Sequence, residues 1–152
     1  VRYDGAGWET LATDDVRALA VDSLGRVWCG STDGLIRYHP AAGTFDDSPF
    51  AELRGCLVSA VACDVHGAVW VGTRQAGLFL CREEAVERIA SPAEVSDIQA
   101  ILPCDDDSAW VGGARGLIRV TRSGEIRRAE VASDSYVTAM ALGDTGTLWI
   151  AT

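Results

Sequence analysis

The sequence predicts an all-β chain of β-propeller blades. Each blade has four antiparallel strands and about 40 residues, and together they make a partial propeller of about four blades. Three observations carry this. Trp28, Trp70, Trp110 and Trp149 recur at spacings of 42, 40 and 39 residues. Twelve positions before each stands a β-branched residue (Val16, Val58, Ile98, Val137), and ten before stands an alanine (Ala18, Ala60, Ala100, Ala139). Gly30, Gly72 and Gly112 lie two positions after their tryptophans, each followed by a Gly-Leu pair at 34–35, 77–78 and 116–117. The fourth copy reaches Thr152 before its own Gly-Leu.

The register divides residues 1–152 into one propeller region. Residues 1–15 read as the C-terminal half of a blade, with strand c at Val1–Tyr3 and strand d around Trp8. Residues 16–57, 58–97 and 98–136 are whole blades, and 137–152 is the N-terminal half of another. Short apolar runs punctuated by turn residues every 8–12 positions signal antiparallel strands.

Within the unit, strand a reads V-x-A-h-A, h being apolar. Its small alanines suit the innermost position, where blades converge. A turn follows, with glycine three before the tryptophan at Gly25, Gly67 and Gly146, and Asp107 in the third copy. Strand b is h-W-h-G. Its tryptophan fills the widening gap between blades, and its glycine permits close backbone approach or a bulge. Strand c is G-L-h-x-h, and a variable strand d follows, as at 43–46 and 124–127. Stacked blades bury what one sheet cannot.

The pattern V-x-A-h-A-x-D-x-x-G-x-h-W-h-G-T-x-x-G-L-h-R-h resembles the two-component regulator propeller repeat. Val58–Leu78, VSAVACDVHGAVWVGTRQAGL, follows it closely. Val16–Tyr38 departs at Cys29 and Ser31, and the third copy at Pro103, Cys104 and Asp107. The resemblance implies an extracytoplasmic, periplasmic sensing module of a bacterial inner-membrane signalling protein. The effector would be a hybrid histidine kinase or diguanylate cyclase, and the ligand a small or carbohydrate-derived molecule. It implies no catalysis in this region and no cofactor. Its partners would be the ligand, the remaining blades and a signalling domain of the full-length chain. A protein-interaction scaffold and a propeller lyase or hydrolase are the alternatives.

Composition bears on the same choice. The chain has 13 arginines and no lysine against 22 acidic residues, a net charge of -9. That excludes a general nucleic-acid backbone binder, which needs a basic face. No apolar run approaches the roughly 18 residues of a membrane span. Five cysteines and two histidines show no zinc-ligand spacing. Cys29, Cys63 and Cys81 occupy apolar slots of the repeat; Cys104 takes the slot of Asp22 and Asp64, and Cys56 lies in a linker. All five read as structural or inert. The Asp105–Asp107 run reads as a solvated acidic turn rather than a metal site.

Propeller function usually lies on loops at one face. The d–a and b–c loops share a face if strand a is innermost. The b–c turns carry Asp33, Arg74, Gln75 and Arg115. The d–a loops carry Thr13, Asp14, Asp15, Pro49, Phe50, Arg54, Ser96, Asp97, Asp134, Ser135 and Tyr136. Asp33, Arg74, Gln75, Arg115 and Tyr136 are the candidate ligand residues, with Arg74 and Arg115 as a guanidinium pair suited to a carboxylate or sulfate. No catalytic residue and no metal ligand is assigned. The sequence opens on Val1 and closes within a blade, so a slice of a larger propeller is expected ahead of a closed four-bladed ring, with blade edges exposed.

Overall fold

A computed structural model describes residues 1–3, 5–10, 15–46, 48–83, 85–130 and 135–152. Three four-stranded antiparallel sheets form its body. The first comprises strands β3 (Val16–Val21), β4 (Val27–Ser31), β5 (Gly34–His39) and β6 (Thr44–Asp46).

 The opening hairpin itself, β1 (Arg2–Tyr3) with β2 (Trp8–Glu9), is a separate two-stranded sheet. The second four-stranded sheet comprises β7 (Val58–Cys63), β8 (Val69–Thr73), β9 (Leu78–Arg82) and β10 (Ala85–Ala90). The third comprises β11 (Ile98–Pro103), β12 (Ser108–Gly113), β13 (Gly116–Thr121) and β14 (Ile126–Arg128). A second two-stranded sheet, β15 (Ala139–Leu142) with β16 (Leu148–Ala151), closes the order. No helix among the described residues is long and apolar enough to cross a membrane; a short 3-10 segment, Ser48–Leu53, precedes β7.

The a–b turns explain the glycine three before each tryptophan. Gly25, Gly67 and Gly146 all have left-handed φ, between 75° and 81°. Asp107 adopts the same region at φ 61°, which aspartate tolerates better than most side chains. The third copy therefore keeps the turn without the glycine.

Sheets stack face to face through the repeated tryptophan. Trp28 is buried with Val58, Val71, Phe79 and Cys81 of the second sheet, and Trp70 with Ile98, Val111, Ile118 and Val120 of the third. Trp110 packs with Val137, Met140 and Ile150. Trp149 departs from the expected core role: it is 68% exposed, because no sheet covers its face. The glycine two positions after each tryptophan marks the closest approach. A Cβ on Gly30 would stand 2.5 Å from Val58 Cγ1, and one on Gly72 or Gly112 would collide with Ile98 or Val137. Val58, Ile98 and Val137 thus each rest on the glycine of the preceding sheet.

Asp22 and Asp64, six before Trp28 and Trp70, tie turn to core. Asp22 accepts from the backbone N–H groups of Leu24 and Arg26 and, at 2.9 Å, from Trp28 Nε1. Asp64 repeats this with His66, Ala68 and Trp70 Nε1, and Arg122 of the third sheet reaches it at 2.7 Å. Burial works to raise both pKa values, but these hydrogen bonds outweigh it and hold both carboxyls below their ordinary range.

The cysteines are free thiols. Cys29 and Cys81 are buried, whereas Cys56, Cys63 and Cys104 are half-buried. Burial first, then the carboxylates of Asp22 and Asp64, push Cys63 up to about 12; burial and then Glu52 do the same for Cys81. Both are protonated at neutral pH and poor nucleophiles.

Candidate functional site

Strand a carries an irregularity that repeats in all three full sheets. The pairing register shifts between Val16 and Ala18, between Val58 and Ala60, and between Ile98 and Ala100. The residue skipped is the x of V-x-A: Arg17, Ser59 and Gln99. A bulge re-aims the side chain it carries. These three side chains line one cleft of about 450 Å³ together with Leu57, Arg74 and Tyr136.

Asp97 organises one side of that cleft. Its carboxylate accepts from Tyr136 Oη at 2.8 Å and from Gln99 Nε2 at 2.9 Å, and lies 3.4 Å from Arg74 Nε. Its own N–H donates to the Arg74 carbonyl at 2.7 Å. The b–c turn of one sheet is thereby joined to the d–a loop of the next. Partial loss of hydration, followed by the Asp97 carboxylate, raises the Tyr136 pKa, so the phenol stays protonated and donating at neutral pH. Arg17 is held by Asp15, and the Ser59 hydroxyl donates to the Ile98 carbonyl at 2.5 Å. The cleft therefore presents two guanidinium groups, an amide, a hydroxyl and a phenol. Most of these donors are engaged within the protein, Tyr136, Gln99 and Arg74 by Asp97, Arg17 by Asp15 and Ser59 by the Ile98 carbonyl, so the groups left for a ligand are the outer N–H groups of the two guanidiniums and one Gln99 amide N–H.

The residues expected at this face separate into groups. Arg74 and Tyr136 share the cleft. Asp33 lines a smaller cavity of about 210 Å³ with Asp15, Phe50 and Arg54. Arg115 donates to Ser96 Oγ at 3.3 Å and is absent from the cleft lining, where Arg17 is the second guanidinium beside Arg74. Gln75 is exposed. Phe50, expected on the rim, is instead core: it is 1% exposed and its ring lies 5.3 Å from that of Trp28. The 3-10 segment turns it inward. Thr13, Asp14, Asp134 and the Pro49 side chain lie outside what the structure describes.

Arg17, Ser59 and Gln99 escaped the sequence reading. Their signal is that one position stays variable inside an otherwise fixed V-x-A. Elsewhere, Asp106 accepts from Ser108 and Arg119, and Asp107 lies 2.9 Å from Arg122 Nη1. Among the described residues no group of three or more His, Cys, Asp or Glu side chains could hold a metal ion.

No family model matches the chain, and no curated protein matches it. Solved structures do. Over 90% of its length it is similar to a catalytically inactive H270A virginiamycin B lyase from Staphylococcus aureus with quinupristin, at TM-score 0.74 and 16% identity, covering 48% of that chain. It is similar to the extracellular domain of the putative hybrid two-component system BT3049 from B. thetaiotaomicron, at TM-score 0.75 and 18% identity. That match covers 93% of this chain and 20% of the other. A computationally designed protein, Ika4, matches at TM-score 0.69 and 18% identity, covering 92% of each chain. The fold is that of a β-propeller.

Each four-stranded sheet is accordingly a blade. The chain spans about half the length of the lyase and a fifth of the two-component system's extracellular domain. At these identities the likeness carries the fold alone, which both of those proteins share.

Proposed function

We propose that this propeller region is a ligand-sensing module of a bacterial membrane-bound signalling protein, acting outside the cytoplasm. Its ligand is a small carboxylated or polyhydroxylated molecule, and its site is the cleft of Arg17, Ser59, Arg74, Gln99 and Tyr136. The convergence of one bulge residue from each full blade on that cleft carries the reading. A bulge kept at one register while its side chain varies fits recognition, whereas a purely structural device would keep the side chain too. The hybrid two-component neighbour supports the signalling context.

The lyase alternative has less to work with at this cleft. Neither histidine lines it: His39 ends β5, and His66 lies in the β7–β8 turn, 3.8 Å from Asp107. A protein-interaction scaffold would not need bulge residues of three blades gathered in one polar cleft.

Calorimetric titration with a sugar acid and with its neutral parent sugar tests the proposal. Binding of the acid is expected to weaken by about tenfold or more in Arg74→Ala. Tyr136→Phe should weaken both ligands, with the unfolding midpoint unchanged. Failure of a broad panel of sugars and sugar acids to bind, or binding indifferent to both substitutions, would overturn it.

A further inference from the structure

Asp97 brings a negative charge to the cleft, and the fold fixes it twice over. Its backbone is set first. The N–H donates to the Arg74 carbonyl at 2.7 Å. The Asp97 carbonyl lies so close to Gly113 that a Cβ there would stand 2.5 Å from its oxygen. The left-handed φ of 48° is one that aspartate, asparagine and glycine all tolerate. None of these backbone contacts uses the side chain, so the loop does not depend on it.

The carboxylate is set next, by neutral donors. Tyr136 Oη at 2.8 Å and Gln99 Nε2 at 2.9 Å hold it, while Arg74 Nε stands off at 3.4 Å. The Asp97 side chain is 22% exposed, against 58% for Asp15, which pairs with Arg17. Exposed charges are screened by salt and partly buried ones much less, so Asp97 is the anion a ligand feels. An incoming anion can take the outer N–H groups of Arg74. Displacing Asp97 would leave the phenol and the amide without their acceptor, so the carboxylate stays, and two anions then share one guanidinium.

We infer, building on the ligand site proposed above, that Asp97 sets the charge selectivity of the cleft: a singly charged sugar acid is accepted at Arg74, and a doubly charged sugar phosphate is held off. Arg17 and Arg74 are the cations among the described lining residues, and Asp15 and Asp97 balance them. Repulsion from a fixed charge grows in proportion to the charge on the ligand.

Calorimetric titration of glucose, glucuronate and glucose 6-phosphate into the wild type, Asp97→Asn and Asp97→Gly tests this. Both replacements suit the left-handed backbone. The first keeps a hydrogen-bonding group and the second removes it, so a loss common to all ligands is cancelled by taking each affinity relative to glucose. On that scale both variants should gain about fivefold for glucuronate and about 25-fold, the square of that factor, for glucose 6-phosphate. Unchanged ratios, the mark of a residue that only holds the rim, would overturn the inference and leave the ligand site standing on Arg74→Ala. So would gains that do not rise with ligand charge. Absence of binding by all three ligands to all three proteins would overturn it too, and only failure of the broad panel would remove the site as well.

Discussion

Asp64 joins two turn amides, the indole of Trp70 and, unlike Asp22, a guanidinium from the next blade, that of Arg122. Asp64→Asn keeps the shape and removes the charge. The cost at pH 7 is expected to be about 1–3 kcal/mol, as for hydrogen bonds to a charged group. Its pKa is lowered by folding, so the wild-type advantage is fully present above the unfolded value of about 3.8 and is lost as pH falls through the folded value. Urea unfolding from pH 7 down to pH 2 should show the two proteins converging below about pH 4. A constant gap across that range would contradict the assignment. Cys104 and Gly143 stand in this slot in the other two copies, so Trp110 and Trp149 lack the acidic partner.

At the scale of the blade, the contact between successive sheets is a large residue beside none. Trp70 fills the gap, and Gly72 lets Ile98 come close. Trp70→Ala should cost about 3–5 kcal/mol by leaving a cavity. Gly72→Ala should cost about 1–3 kcal/mol by overpacking, although it adds only a methyl group. Trp149→Ala, on an exposed face, should change monomer stability little; thermal unfolding of the three variants at low protein concentration checks the order. The four-stranded unit was legible because Trp, Gly and Ala recur where packing admits few alternatives. A bulge was one of two readings of the strand-b glycine, but its place on strand a was not legible, since V-x-A reads equally well as plain alternation and pairing register is a property of two strands at once. Phe50 was misplaced for a related reason: a connection between blades was read as rim, while the 3-10 segment carries its ring under Trp28. Asp97 was placed on a d–a loop of the rim but not among the candidate ligand residues, because its left-handed backbone (φ 48°) and three side-chain neighbours belong to the fold.

Across the whole molecule, blades touch mainly their sequence neighbours, so stability runs along the chain as in other repeat proteins. The second blade is covered on both faces, by Trp28 on one side and by the third blade on the other. Hydrogen exchange should therefore be slowest in β8 and β9 and fastest in β1, β2, β15 and β16. Equal protection throughout would mean that the ends are covered in solution. The strand-a bulge has a different consequence. Its three residues are set 42 and 40 positions apart, outside the ladder pairing and away from the tryptophan contacts. Each can change without breaking a ladder pair, at the cost of the Ser59–Ile98 and Gln99–Asp97 hydrogen bonds where those residues are replaced, so the lining of the cleft can diversify at three codons while the pairing of the scaffold stays constant. Selection for a new ligand and selection for stability then act on separate letters of the same repeat.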